Sequence, residues 1–344
     1  MADSWLDSLA AAIPLPVYQA TVRRRLIGLC YHAVSEVPQP HLDHLIPYKT
    51  PAQFEADLVY LQAHHTLVSY DQIRAHLDGK IRVKPGSVAL TFDDGYAQTY
   101  TVIRPLLKKA AAPAIFFLIS ASIDNREMFY RNTVSLVIEA LRCLPEAQQS
   151  SALQNLSELA GRTLDTPAAF SAWIKPLKYA DRSRLDEVCA LLQVDVPAYL
   201  HARQPYLTSE QIRTMLEEGF TFGAHSIHHP RLADLDESQI EAEIVESCRA
   251  VRTLTGQEQI PFAFPFSAHQ VDRNFLARLL RRHPYIRPMF DTKGVQPDVP
   301  FLLSRIAADA RPEAGKPGSN LPFLLHQAYQ KNLTVFLGRF GIHP

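Results

Sequence analysis

Two short segments carry side chains that could act together on a substrate. Thr91-Phe92-Asp93-Asp94-Gly95 sets two carboxylates side by side before a glycine that lets the backbone turn sharply away. Adjacent negative charges repel. A divalent cation held by one of them leaves the other ionised and positioned as a base. For Asp-Asp-Gly taken alone, the plainer alternative is a helix cap in a strand-to-helix loop. The second segment, His225-Ser226-Ile227-His228-His229-Pro230, adds imidazoles, with His225 and His229 four residues apart. Pro230 disfavours α conformation at His229, so a shaped loop presents this pair rather than a helix. Neutral imidazoles with one carboxylate and an open position for water are the donor set of a catalytic, zinc-type site. A lone histidine would be read as a satisfied core or surface residue. Three within five positions make that a weaker account, and His228 is then a spacer.

Both segments follow apolar runs that read as strands. Lys84-Pro85-Gly86 turns the chain into a strand over Ser87 to Phe92, so Asp93 and Asp94 sit just past a strand's C-terminal end, where α/β barrels build their sites. Phe220 to Ala224 is the strand before His225. Around them strands and helices alternate as a parallel α/β fold requires. The strands are Leu26 to Tyr31, a short one near Leu67, Ala114 to Ile119, Phe262 to Phe264 and Leu302 to Ile306. Thr50-Pro51-Ala52-Gln53 and Thr208-Ser-Glu-Gln211 have the form of capping boxes, and helices are expected after each. Further helices are expected over Tyr70 to Leu77, Val102 to Ala110, Asp236 to Leu254 with Gly256 as cap, and Asp272 to Arg282. From 126 to 204 only amphipathic helical stretches occur, such as Asn132 to Leu144 and Arg182 to Leu192. This segment reads as a helical insertion within a single domain spanning 1–344.

The composition restricts the partners. With 35 basic and 35 acidic residues there is no overall field to draw nucleic acid or an anionic membrane. The cluster Arg278-Leu-Leu-Arg281-Arg282 reads as a solvated helix face. Cys30, Cys143, Cys189 and Cys248 show no Cys-x-x-Cys or zinc-ribbon spacing, which suits free thiols in a reducing compartment. The stretch Met1 to Asp7 places acids where a signal peptide needs bases, and no run approaches the roughly 20 apolar residues of a spanning helix. A cytoplasmic protein, not integral to a membrane, is the expectation.

Thr-Phe-Asp-Asp-Gly followed by His-Ser-x-x-His-Pro resembles the first two signature motifs of the polysaccharide deacetylase (NodB-homology) family. The resemblance extends to Tyr31-His32-Ala-Val, Phe54 to Leu61, the Ala114-Ile-Phe-Phe strand and Phe262-Ala-Phe-Pro-Phe266, covering Leu26 to Ile306 apart from the helical segment. It implies a distorted (β/α)7 barrel. It also implies hydrolysis of an N-acetyl group, usually on an amino sugar, releasing acetate and a free amine. By the same resemblance Asp93 is the general base, and Asp94, His225 and His229 hold a divalent metal. Zinc is the expected ion, with cobalt, nickel or iron as alternatives. A backbone N–H near Phe266 is the expected oxyanion donor.

The sequence departs from that family pattern in two places. Its third motif, Pro261-Phe-Ala-Phe-Pro-Phe266-Ser, lacks the arginine that orients the base in many members. Arg305 in Phe301-Leu-Leu-Ser-Arg-Ile306 resembles the Leu-Pro-Arg-Ile ending of a subgroup, and is assigned that role. The late Leu-x-His of other members has only Leu324-Leu325-His326 as a match, in a helical-looking tail. His32, at the end of the first strand, is the better general acid, with a structural histidine at the barrel mouth as the alternative. The expected substrate is an N-acetylated sugar or glycan precursor. A non-sugar amide, or a catalytically silent carbohydrate-binding barrel, are the competing readings.

Overall fold

The computed structural model describes residues 14–22, 25–295, 299–310 and 320–338. The Met1 to Asp7 reading therefore lies outside the described residues. The chain begins with α1 (Leu15–Thr21), then β1 (Leu26–Tyr31), α2 (Pro51–His64), β2 (Thr66–Leu67), α3 (Tyr70–Leu77), β3 (Ser87–Phe92), α4 (Arg104–Lys109) and β4 (Ala114–Leu118). The capping boxes form as the residue types dictate. Thr50 Oγ1 accepts from Gln53 N, while the Gln53 side chain accepts from Thr50 N, and Thr208 with Gln211 repeats the arrangement.

Five helices follow β4 with no strand among them: α5 (Tyr130–Cys143), α6 (Glu146–Ala160), α7 (Pro167–Ile174), α8 (Arg182–Leu191) and α9 (Val196–Arg203). The barrel alternation then resumes with α10 (Ser209–Glu217), β5 (Thr221–Ala224), α11 (Glu237–Thr255), β6 (Ile260–Ala263), α12 (Arg273–Arg282), β7 (Ile286–Asp291), β8 (Leu302–Ala307) and α13 (Leu321–Gly338). Strand β7 was not legible in the sequence. Pro288 stands inside Ile-Arg-Pro-Met-Phe-Asp and argues against a ladder position, yet the run is buried and pairs with both neighbours.

All pairings among the named strands are parallel, in the order β1-β8-β7-β6-β5-β4-β3, and β1 pairs with β3 to close the ring. This is the (β/α)7 barrel, with the two-residue β2 added beside the start of β3. The strands are buried along nearly their whole length and form one core with α2, α10 and α11, through residues such as Leu29, Phe92, Phe116, Phe222, Ile244 and Phe262. A second core, separate from it, gathers α5–α9 around Val134, Leu141, Leu156, Phe170 and Val188. It also takes in Leu42 and Tyr48 from the loop after β1.

That loop is tied to the helical unit by hydrogen bonds. Asn132 Nδ2 donates to the carbonyl of His41 at 2.8 Å, Ser135 Oγ to that of Pro40 at 2.6 Å, and His41 Nδ1 meets the Tyr199 hydroxyl at 2.9 Å. Burial pushes the His41 imidazole down to about 4, with Asp43 opposing and Arg203 assisting. Its folded value thus lies below the unfolded one. As pH falls from about 6.5 to about 4 the unfolded chain takes up a proton that the fold refuses, so stability drops, by about 3 kcal/mol at the low end. Urea unfolding of wild type and His41→Gln at pH 7.5 and 4.5 checks this. The wild type is expected to lose more stability across the interval than the variant.

Candidate active site

The C-terminal ends of β1, β3, β5, β6 and β8 meet at one mouth of the barrel. Asp93 and Asp94 follow β3 directly, and His225 follows β5. Asp94 adopts a left-handed backbone with φ of 69°, as do Ser226 at 66°, His229 at 58° and Phe266 at 57°. Non-glycine residues rarely take this conformation, and four at one mouth mark a site where local backbone preference gives way to placement of side chains. The loop after His225 is held by its own polar groups. His229 N donates to Ser226 Oγ at 2.9 Å, and Ser120 N to the Ser226 carbonyl at 3.1 Å.

Asp94, His225 and His229 converge as the sequence suggested. His225 Nε2 and His229 Nε2 each lie 3.5 Å from Asp94 Oδ1, and 3.1 Å from one another. The three are buried, and Asp94 Oδ1 has no hydrogen-bond partner. Burial pushes the Asp94 carboxyl up and, together with His225, holds His229 well below the usual imidazole range, so His229 is neutral. His225 Nδ1 lies 2.9 Å from the Ala263 carbonyl, which selects the tautomer whose Nε2 lone pair faces the cluster. The Tyr96 hydroxyl, which accepts from Asn132 Nδ2 at 3.0 Å, stands near the Asp94 carboxylate and favours its charged form. A buried orphan carboxylate oxygen and two imidazole nitrogens facing one point fit a divalent cation of the zinc type. His228 turns away, its Nδ1 2.9 Å from Glu243 and its ring stacked on Tyr179.

Asp93 is held from β8, across the single intervening strand β1. Arg305, fully buried on β8, donates from Nη1 to Asp93 Oδ1 at 2.6 Å and from Nη2 to Oδ2 at 2.8 Å, and Nη1 also reaches Thr91 Oγ1 at 3.0 Å. This fork fixes both carboxylate oxygens in one plane. Burial opposes the charged form of Asp93, but Arg305, His225 and His32 hold its carboxyl below the usual range. The aliphatic stem of Arg305 passes over β1 only because residue 28 is glycine. A Cβ there would lie 2.5 Å from Arg305 Cγ.

His32 stands at the end of β1 with its Nδ1 2.6 Å from Asp309 Oδ2, and its backbone N–H donates to Asp309 Oδ1 at 2.9 Å. Burial disfavours its cation, yet Asp309, with Asp94 and Asp93 behind it, raises the imidazole to about 10. A ring nitrogen of His32 lies within 4.8 Å of a carboxylate oxygen of Asp93. Asp309 and Tyr96 were not singled out in the sequence. Cys30, which donates to Asp93 Oδ2 at 3.2 Å, was noted there only as a free thiol. His326 is not part of the site: it packs edge-on against Tyr18 of α1, at 5.3 Å between ring centroids.

Cys30, His32, Asp93, Asp94, Tyr96, His225 and His229 line a cleft of about 300 Å³, walled by Leu45 and Ile46 from the loop after β1, by Phe129 and Arg131 at the start of α5, and by Phe266. The Phe266 ring packs edge-on against His229 and remains 46% exposed.

The sequence matches the family described as polysaccharide deacetylase over residues 80–164 and 177–283, more than half of its length. The chain belongs to the polysaccharide deacetylase family. Asp93, Asp94, His225, His229 and Phe266 fall inside the matched segments, whereas His32, Arg305 and Asp309 fall outside them. As a polysaccharide deacetylase it is a hydrolase that removes N-acetyl groups from glycans and releases acetate. Solved structures share the fold at low identity. The Streptococcus pyogenes deacetylase PplD in complex with acetate is 17% identical, with a TM-score of 0.52 over 82% of this chain and 91% of that one. IcaB from Ammonifex degensii is also 17% identical, with a TM-score of 0.52 over 88% and 97%. A de-N-acetylase from Aggregatibacter actinomycetemcomitans is 16% identical, with a TM-score of 0.50 over 83% and 95%. No curated protein sequence matches this polysaccharide deacetylase significantly. Among its described residues no helix is long and apolar enough to cross a membrane.

Proposed function

We propose that the protein is a metal-dependent N-deacetylase of an amino sugar within a glycan or glycan precursor, with Asp93 as base, His32 as acid, and Asp94, His225 and His229 as metal ligands. The observation that carries this reading is the pairing of two differently equipped carboxylates. Asp93 is clamped by Arg305, while Asp94 faces two imidazole nitrogens with its own Oδ1 unpartnered. Zinc suits a donor set of one carboxylate oxygen and two imidazole nitrogens. A divalent cation, when bound there, supplies Lewis acidity that acidifies water and polarises an acyl oxygen.

The chain's own residues supply the proton transfers. Asp93, ionised and fixed by Arg305, takes the proton of the attacking water as the new C–O bond forms at the acetyl carbon. The Phe266 backbone N–H, set in place by the left-handed turn, donates to the carbonyl oxygen as it gains charge. His32, braced through Nδ1 by Asp309, gives its proton through Nε2 to the departing nitrogen as the C–N bond breaks. Acetate and a free amine result, with one water consumed. Free buried thiols at Cys30, Cys189 and Cys248 support a reducing, cytoplasmic setting for this chemistry.

Acetate release from an acetylated chitooligosaccharide tests the metal requirement. Chelation is expected to abolish it, and added zinc or cobalt to restore it in wild type but not in His229→Ala, whose metal content by elemental analysis should fall below one equivalent. Full activity of thoroughly chelated protein would sink the reading. The acid role is tested with His32→Gln and Asp309→Asn. Each is expected to lower kcat by about 10²–10⁴-fold, with KM and bound metal little changed. Loss of metal in either variant would instead make the pair a structural support.

A further inference from the structure

Two hollows adjoin the catalytic cleft, and they differ in charge. One, of about 580 Å³, shares Leu45 and Ile46 with the cleft and is lined by Glu36, Asp43 and His44. The other, of about 310 Å³, shares Arg131 and Phe266 with the cleft and is lined further by Lys175, Lys178 and Arg231. Its volume lies within the roughly 300–1,000 Å³ range of small-molecule pockets. Among the described residues that line it the only carboxylate, Asp234, is engaged by Lys178 at 3.1 Å. Arg131 gives one N–H of its guanidinium to the Lys175 carbonyl, and Arg231 reaches the neutral Gln270 Oε1 at 3.4 Å. Among the described residues Arg131, Lys175 and Arg231 have no ion-pair partner. The basic cluster on α12 behaves differently: Arg278 and Arg282 are neutralised by Glu237 and Glu241.

A chain with no formal net charge therefore sets unpaired cations from three separate segments around one hollow, beside an acidic one, at the mouth of its site. Such cations repel one another, and the arrangement gains energy when an anion enters between them. Arg131 keeps N–H donors free for a planar or tetrahedral oxyanion, with Lys175 and Arg231 adding point charges.

Resting on the deacetylase reading above, we infer that this hollow is a subsite for an anionic substituent, phosphate or carboxylate, carried next to the acetylated sugar residue. The substrate class is thus an acidic or phosphorylated N-acetylated glycan rather than a neutral one. Phe266, which lines both spaces with an exposed ring, separates the acetyl group from the anion.

The test compares acetate release from two pairs of substrates by the zinc-loaded full chain and by K175S/R231S. One pair is N-acetylglucosamine and its 1-phosphate; the other is a neutral N-acetylated disaccharide and one whose second sugar is glucuronate. In wild type kcat/KM is expected to favour the anionic member of at least one pair by about 10-fold or more, the scale of one or two charged hydrogen bonds, and to fall with added salt. The double substitution should remove most of that preference while affecting the neutral members less. A preference in the first pair assigns phosphate, one in the second a carboxylate. Equal rates within both wild-type pairs, or a preference that survives K175S/R231S, overturn the subsite. Wild-type failure on all four sugars would count against the deacetylase reading itself. Calorimetric binding of glucose 1-phosphate and glucuronate then decides the subsite alone: binding lost in K175S/R231S upholds it, and equal or absent binding in both proteins overturns it.

Discussion

Arg305→Met is expected to lower the stability of the fold by about 3–5 kcal/mol, the usual cost of removing one partner from a buried ion pair. The reason lies in what is left behind. Asp93 is buried, and the two forked hydrogen bonds from Arg305 are its main compensation, with a weak thiol donor from Cys30 and His225 at 3.7 Å as the other close polar groups. A carboxylate deprived of a guanidinium in that position must either unfold the mouth of the barrel or take up a proton. Urea unfolding at neutral pH measures the loss. The double variant Asp93→Asn with Arg305→Met removes both charges and is expected to recover part of the stability, which a purely steric role for Arg305 would not produce. Arg305→Met should also lower kcat, because a protonated or wandering Asp93 cannot serve as base.

Asp93→Asn alone is the larger test of chemistry. The amide can still accept a hydrogen bond from Arg305 but cannot take a proton from water, so kcat is expected to fall by about 10²–10⁴-fold. Bound metal should remain near one equivalent, because Asp94, His225 and His229 keep their positions. Acetate release within a few-fold of wild type would reassign the base. Loss of the metal together with activity would mean that Asp93 is a ligand as well, a role for which its 3.7 Å separation from His225 Nε2 leaves room.

Much of this site was legible in the sequence because the decisive residues are local. Asp93 and Asp94 adjoin, His225 and His229 are four apart, and strand-ending positions in an alternating α/β pattern put both segments at one barrel mouth. Arg305 was reached through resemblance, although Gly28 carried an unread hint: a glycine inside a fully buried strand signals that something passes close to the backbone. Asp309 was beyond reach. Its contact with His32 spans 277 positions and exists only because β8 pairs with β1, and a lone aspartate after Ala307-Ala308 has no pattern around it. Tyr96, directly after Asp-Asp-Gly, stood close enough to the motif to be suspected. Strand β7 was hidden by Pro288, where tertiary burial overrides the local penalty.

The second core beneath α5–α9 has a consequence for how this enzyme could change. The residues proposed for the chemistry follow the ends of barrel strands, while Leu45, Ile46 and Phe129, which wall the cleft, pack with a second core around its own apolar centre. Leu45 and Ile46 lie outside the core that holds the strands, whereas Phe129 packs on His229 and Asn132 bonds Tyr96 beside Asp94, so those two stay tied to the site. Acceptor choice can therefore drift over evolutionary time at positions such as Leu45 and Ile46 with the reaction itself conserved, and those wall positions are the ones to redesign when a different glycan is wanted.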